Sequence, residues 1–209
     1  MNVVRISETG DVEWEAEIGN PELVQYSKGI ALTREGGVVA FGHTKLEDQQ
    51  DKDYLIAKLD QQGRKQWVKV LGTETNEVAR MIVQVESGGY IACGRMGAPN
   101  TFSDGSTGTI ANIFRIGEGG DLEWSVIIGR SAHSTNCITL TKPEGEDCVY
   151  FIGQGAGDGL DYGVIGKVSL EGEKDWVKSI KGYHSGFLKD VIWTINRRLL
   201  VLGHIQETV

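Results

Sequence analysis

One unit is repeated four times along the chain, and this repetition restricts the possible folds more than any other feature of the sequence. Each copy has a basic residue nine positions before a tryptophan and a glycine four positions before the same tryptophan. Agreement at two fixed spacings is the signature of a repeat architecture. The copies occupy 3–19, 55–72, 113–129 and 164–182; their basic residues are Arg5, Lys58, Arg115 and Lys167, and their tryptophans are Trp14, Trp67, Trp124 and Trp176.

A second repeated module lies between these segments. It is an apolar run, a turn, another apolar run and then a glycine, and that glycine falls 27 to 29 residues after the preceding tryptophan. The module occupies 29–43, 81–95, 137–154 and 191–204, and it ends on Gly42, Gly94, Gly153 and Gly203 or on the residue that follows each of them.

Both modules are predicted to be β-hairpins. In 11–18 acidic and apolar residues alternate, so one face of the strand is acidic and the other apolar. Each tryptophan module also has a turn with a glycine that can adopt positive φ. Two hairpins in a repeat of about 52 residues give four strands, which is the content of one β-propeller blade. Glycine supports this, because 29 glycines in 209 residues are about twice the usual ~7% and fit many tight turns.

The phase of the repeats predicts how the sheet edges are covered. The chain starts inside a tryptophan hairpin and ends after the other type of hairpin, so three blades are contiguous and two halves remain. We therefore expect an all-β propeller of four four-stranded blades, 16 strands in all, with the N- and C-terminal hairpins sharing one blade. Pairing 199–205 with 3–6 would cover the open edges. Two alternatives stay open: an arc of a longer propeller, or half of a ring closed by a second copy. The single domain would span 1–209, with repeats of about 3–52, 53–110, 111–160 and 161–209.

Charge and composition exclude several classes of function. The net charge of −8 argues against a nucleic-acid partner, which requires a clustered basic face. No run of 18 apolar residues exists, so no membrane insertion is expected, and no signal peptide is visible at the N-terminus. The sequence leaves the localisation unknown. The three cysteines lack metal-binding spacing and are expected to be buried free thiols.

The tryptophan hairpin resembles two families of propeller. Residues 53–72, DYLIAKLDQQGRKQWVKVLG, followed by ESGGYIACG in 86–94, look like bacterial tandem β-propeller repeats with the unit Lys-φ-Asp-x-x-Gly-x-x-x-Trp. The hairpin is also similar in scaffold to pyrroloquinoline-quinone-type propellers. The resemblance implies that the four tryptophans are structural and dock between neighbouring blades. The aspartate of the motif is present only as Asp60 and is replaced by Ser7, Gly117 and Ser169. Nothing matches a quinoprotein active site.

The candidate site residues fall into three groups. The tryptophans could stack sugars, but their regular place on the apolar face favours packing. The fourfold basic set could bind an anion, or it could form one cross-strand ion pair in each repeat. The residues that follow each second-module glycine should cluster on one rim, next to the variable loops 45–53, 96–109 and 155–161. These candidate binding residues are His43, Arg95, Gln154 and His204 on the rim, with Asp104 and Asp158 in the loops.

The sequence predicts a non-catalytic interaction module that presents a loop-rich face to a protein partner. The alternative is a glycan- or small-ligand-binding, lectin-like propeller, and a lesser alternative is an enzyme with an axial pocket. No cofactor and no metal site are predicted, because no catalytic elbow or metal-ligand spacing is present.

Overall fold

The computed structural model describes residues 1–47, 51–97, 108–129, 134–157, 160–180 and 187–204. Over these ranges the chain is all β, and no helix in them is long and apolar enough to cross a membrane. The strands are β1 Asn2–Ile6, β2 Val12–Glu17, β3 Leu23–Leu32, β4 Val38–Leu46, β5 Asp53–Leu59, β6 Lys65–Leu71, β7 Val78–Gln84, β8 Tyr90–Gly97, β9 Thr109–Ile116, β10 Leu122–Ile128, β11 Ser134–Thr141, β12 Cys148–Gly157, β13 Leu160–Ser169, β14 Lys174–Ile180, β15 Phe187–Trp193 and β16 Leu199–His204.

The strands form five antiparallel sheets that follow the order of the chain. The first sheet is β3-β4-β5-β6, the second is β7-β8-β9-β10 and the third is β11-β12-β13-β14. The N-terminal hairpin, β1-β2, and the C-terminal hairpin, β15-β16, are two-stranded. The predicted all-β fold and the repeated four-stranded unit are therefore confirmed. Each pairing is antiparallel between consecutive strands, because short turns can join only antiparallel neighbours.

The apolar core lies between consecutive sheets. One buried cluster joins the N-terminal hairpin to the first sheet through Val3, Ile18 and Leu59. A second cluster joins the first and second sheets around Phe41 and Phe114. A third joins the second and third sheets, and β15 packs beside β11 and β12. Each four-stranded sheet thus packs against the sheets before and after it, whereas each terminal hairpin packs against one neighbouring sheet.

Among the described residues, the terminal hairpins do not pair with each other. In the described residues β1 pairs only with β2, and β16 pairs only with β15. The prediction that these hairpins share one blade is therefore not met in this structure. The physical reason is that each sheet is positioned by contacts with its immediate neighbours, as in other repeat proteins. Nothing in those local contacts requires the accumulated rotation to bring the last hairpin back to the first.

The first strand of each second-module hairpin carries a β-bulge at the same place in the repeat. These strands are β3, β7, β11 and β15. The register shifts between Ser27 and Gly29 in β3, and the extra residue is Lys28. The corresponding extra residues are Arg80 in β7, Ile138 in β11 and Lys189 in β15. A bulge inserts an unpaired residue and bends the strand, and bulges commonly lie next to functional sites.

The bulge explains why the second module ends on a glycine in its first three copies. A Cβ atom on Gly94 would lie 2.6 Å from the carbonyl oxygen of Val78. On Gly42 or Gly153 it would overlap a carbonyl oxygen at the same place in the repeat. The bulge bends the first strand of the hairpin and brings its backbone close to the second strand. At the facing position of the second strand, only glycine fits.

Candidate functional site

Two of the bulged sheets place their basic residues together. In the first sheet, the bulge holds Lys28 and the residue after the glycine is His43. In the second sheet the same two positions hold Arg80 and Arg95. Lys52, in the loop before β5, is the fifth member. These five residues, Lys28, His43, Lys52, Arg80 and Arg95, are called the basic cluster below.

His43 is the buried centre of this cluster. Its side chain is only 4% exposed, and its ring stacks on Tyr26 with centroids 4.8 Å apart. Among the described residues, its buried Nδ1 atom has no hydrogen-bond partner. Burial first, and then the positive charges of the other four members, lower the pKa of His43 to about 4. The imidazole is therefore neutral at pH 7 and lies in a strongly positive field.

The two arginines are partly buried cations without compensating charges in the part of the chain that the structure describes. There, the buried Nε atom of Arg80 has no hydrogen-bond partner. Burial lowers the pKa of Arg95, and the charge of Arg80 contributes to the same shift. Over the same residues, no member of the cluster forms a salt bridge. Leaving several cations close together without counter-charges is costly, so the arrangement favours an anion from outside.

Neighbouring carboxylates are engaged elsewhere. Glu77 is almost completely buried, and its carboxylate accepts hydrogen bonds of 2.7 and 2.8 Å from the hydroxyls of Thr73 and Thr75. Burial raises its pKa. The pKa of Asp53 is likewise raised by burial and by the charge of Asp51. Burial is the largest cause of both shifts, and among the described residues neither carboxylate forms a salt bridge with the basic cluster.

The structure brings together only part of the predicted rim. His43 and Arg95 belong to the basic cluster. Gln154 lies half-buried on β12, opposite Asn136. His204 is the last residue of β16 and faces Phe187 in the strand register. Asp104 and Asp158 lie outside the described residues.

Sequence reasoning missed Lys28, Lys52 and Arg80. A signal for two of them was present. A basic residue precedes the second-module glycine by 14 positions in three of the four repeats, as Lys28, Arg80 and Lys189. The spacing becomes informative only when the bulge is known, because Lys28 and Arg80 are the extra residues of their bulges and their charges act on His43.

The repeated basic residues of the tryptophan hairpins form a different set and are paired. Arg5 contacts Glu13 at 2.6 Å, Arg115 contacts Glu123 at 2.7 Å, and Lys167 contacts Asp175 at 2.7 Å. The acidic partner in each case is the residue just before the tryptophan. Lys58 has Gln66 at that position and instead contacts Glu35 at 3.5 Å. These cations are compensated within the protein and are poor candidates for a ligand site.

The tryptophan indoles contact the next tryptophan hairpin along the chain. Trp14 Nε1 donates to the carbonyl of Gln61, Trp67 Nε1 to that of Glu118 and Trp124 Nε1 to that of Leu170, each at 2.9 Å. Each carbonyl belongs to the turn of the following hairpin. Trp176 contacts Tyr150 instead, with ring centroids 6.2 Å apart. The first three indoles are therefore occupied by contacts within the protein.

Within the described residues, no group of three or more histidine, cysteine, aspartate or glutamate side chains could hold a metal ion. The three cysteines are free and buried. No protein-family model matches the chain, and no curated protein matches it closely enough to count as a relative.

Proposed function

We propose that this protein is a non-catalytic binding domain whose stacked sheets are blades of a β-propeller, and whose basic cluster binds an acidic segment of a protein partner. The observation that carries the proposal is the group of uncompensated cations around His43. Two buried nitrogen atoms in this group, His43 Nδ1 and Arg80 Nε, have no hydrogen-bond partner among the described residues. Carboxylates would accept hydrogen bonds from arginine in a favourable bidentate geometry.

The position of the cluster favours a protein ligand. His43 and Arg95 lie within three residues of the ends of β4 and β8, and Lys52 directly precedes β5. The variable loops begin beside these positions. Loops held by a rigid sheet are common places for recognition. A short acidic segment could contact the cluster and the loops together.

The overall charge favours a short ligand over a long polyanion. The chain carries a net charge of −8, so a nucleic acid would be repelled by most of the surface. A few carboxylates on a folded partner or a peptide need only the local positive field, and salt should weaken their binding.

The geometry of His43 supports binding rather than catalysis. A histidine that acts as a general base is usually oriented by a carboxylate bonded to its second nitrogen. The described residues place no partner on His43 Nδ1. With its pKa lowered to about 4, this imidazole is also a weak base. As a neutral imidazole it can still donate one N–H hydrogen bond to a carboxylate oxygen while the cations hold the anion.

The test is a binding titration with a fluorescein-labelled oligo-glutamate peptide, followed by fluorescence anisotropy. Arg80→Gln and Arg95→Gln should each weaken binding about tenfold, the equivalent of one hydrogen bond to a charged group. Raising the salt concentration should weaken binding of the unmodified chain. Arg34→Gln and Lys65→Gln remove exposed charges elsewhere and should leave the affinity unchanged.

The proposal fails if the peptide does not bind, or if the Arg80 and control variants bind equally well. An oligo-lysine peptide with the same label should show no binding. Binding of both peptides with similar affinity would indicate non-specific adsorption and would also overturn the proposal.

A further inference from the structure

The three junctions between successive tryptophan hairpins share one construction. In each, the indole Nε1 donates to the carbonyl two residues before the turn glycine of the next hairpin. The six-membered ring also lies against that glycine. A Cβ atom on Gly63 would lie 2.7 Å from Trp14, one on Gly120 would lie 3.1 Å from Trp67, and one on Gly172 would lie 2.8 Å from Trp124. The glycine is the socket and the tryptophan of the preceding hairpin fills it.

Charged groups reinforce these junctions. Arg5 donates to the same Gln61 carbonyl as Trp14, at 3.1 Å, and Arg115 donates to the Leu170 carbonyl at 3.0 Å. In the middle junction, Lys69 and Asp121 form a salt bridge of 3.1 Å. Lys69 lies two residues after its tryptophan, and Asp121 lies one residue after the socket glycine.

In the described residues, each terminal hairpin region has one unused half of this junction. At the N-terminal hairpin, the socket glycine Gly10 has no described atom within 4 Å of a Cβ position, whereas its three counterparts hold a tryptophan. At the other end, the indole nitrogen of Trp176 forms no hydrogen bond with a described residue. Lys178 lies over its ring, 5.7 Å from the centroid.

The two unused halves match each other residue by residue. Glu8 stands two residues before Gly10, where Gln61, Glu118 and Leu170 supply the accepting carbonyl in the occupied junctions. Lys178 lies two residues after Trp176, and Asp11 lies one residue after Gly10. A junction between these ends would therefore reproduce the Lys69–Asp121 salt bridge as Lys178–Asp11.

The strand edges at the two ends are also complementary. Ile6 on β1 is 60% exposed, whereas its counterparts Leu59, Ile116 and Val168 are fully buried. Leu202 on β16 is 65% exposed, whereas the residues at the same place in the repeat, Phe41, Cys93 and Ile152, are also fully buried. Both exposed residues lie where a complete four-stranded sheet would bury them, so each terminal hairpin lacks the other half of its sheet.

We propose that these ends bind a second copy of the chain head to tail, so that β16 of one copy pairs with β1 of the other and Trp176 fills the Gly10 socket. The β4–β5 pairing, where Gly42 faces Leu55 and Val38 faces Leu59, gives the register. By the same spacing, Gly203 faces Asn2 and Leu199 faces Ile6 of the other copy.

A second copy is the occupant because it carries the complement of both open edges, a free β1 with the empty Gly10 position and a free β16 with Trp176. The described residues of β1 and β16 each pair only within their own hairpin. A head-to-tail contact continues until a ring closes. Two copies would contribute three complete sheets each and would complete two shared sheets. The resulting ring of eight sheets is within the usual range of four to eight.

The experiment is a mass measurement by light scattering on charge-reversal variants. At about 20 µM, above the Kd of an interface of standard size, the unmodified chain should have a mass of about 46 kDa, twice its 22.8 kDa. Lys178→Glu and Asp11→Lys should each raise the dimer Kd at least about tenfold, because each places like charges opposite one another. Both side chains belong to exposed residues, so folding should be retained by circular dichroism.

Mixing the two variants provides the decisive control. In a mixed dimer, the two introduced charges are opposite in sign and face each other across one junction. The unmodified Lys178 of one chain and the unmodified Asp11 of the other face each other across the second junction. Both junctions are therefore restored, and the dimer Kd, measured by dilution, should return to that of the unmodified chain. Lys65→Glu and Glu22→Lys make the same charge changes elsewhere and should leave the dimer intact.

Two outcomes would overturn the proposal. One is a monomer at all concentrations, including a monomer closed on itself. The other is a dimer that is unaffected by both Lys178→Glu and Asp11→Lys. Oligo-glutamate binding by the basic cluster should persist in Lys178→Glu, so this proposal and the proposed function can fail separately.

Discussion

Replacing Gly94 by alanine should test whether the bulge and the second-module glycine form one structural device. The backbone of Gly94 does not have positive φ, so alanine adds no conformational strain of that kind. Its Cβ would lie 2.6 Å from the Val78 carbonyl oxygen and 2.7 Å from the Tyr54 hydroxyl. Ordinary van der Waals separation is several tenths of an ångström larger, so one strand must move.

The expected cost can be estimated from this geometry. Overpacking a buried position costs about 1–3 kcal/mol, and a ladder hydrogen bond lost as the bulge shifts adds about 1 kcal/mol. The smaller entropy of the unfolded alanine chain returns about 0.4–1 kcal/mol. The net loss is about 1–3.5 kcal/mol, which for a chain of this size lowers the Tm by about 2–14 °C.

Thermal unfolding followed by circular dichroism measures this loss, and Gly119→Ala is the matched control. A Cβ on Gly119 meets only the Asp121 carboxylate, at 3.5 Å, among the described atoms, and its φ is not positive. Because Gly94 lies beside Arg95 and faces the bulge at Arg80, the variant should also weaken oligo-glutamate binding. If Gly94→Ala melts at the same temperature as Gly119→Ala, the close approach does not require glycine and the reasoning is wrong.

Two further predictions concern a junction and the buried histidine. Trp67→Ala should destabilise the fold by about 3–5 kcal/mol, because it empties a packed junction and leaves the Glu118 carbonyl without its donor. Trp67→Phe should destabilise the fold less. Equal denaturant midpoints for Trp67→Ala and the unmodified chain would contradict the packing role. For His43, the folded pKa of about 4 lies below the unfolded value of about 6.5, so the unfolded chain binds more protons between these values. This pKa difference contributes about 3 kcal/mol to the free energy of unfolding. The contribution should be complete above a pH of about 6.5 and should be lost as the pH falls to about 4. An NMR titration of the imidazole that gives an unshifted pKa would refute the buried, positive environment.

The repeat determined much of the fold without any tertiary information. Alternation of apolar and polar residues over a few positions specifies a strand with one buried face, and a glycine between two such runs specifies a turn. Both signals are local, so they survive in the sequence of any copy. Even the departures from the repeat followed local chemistry. Ser7 and Ser169 accept backbone hydrogen bonds in their turns, as Asp60 does.

The candidate site could be predicted only in part. His43 and Arg95 were identifiable because they follow the same glycine in two repeats. Lys28 and Arg80 were not identifiable from the sequence. Strict alternation of side chains along a strand does not allow for the extra residue that a bulge inserts. The sequence shows that the glycine at position 94 has counterparts in the other repeats. The reason for this glycine, the nearby carbonyl oxygen of Val78, appears only when the two strands are placed side by side.

Only the tertiary structure decided how the sheets are arranged and what their ends expose. The angle between neighbouring sheets results from many weak packing contacts and from junctions such as Trp67 on Gly120, none of which is encoded by one local pattern. The sequence placed β16 and β1 in one sheet because their patterns are complementary. The structure leaves both edges open, because complementarity fixes which strands can pair, whereas the accumulated rotation between the sheets fixes whether they meet within one chain.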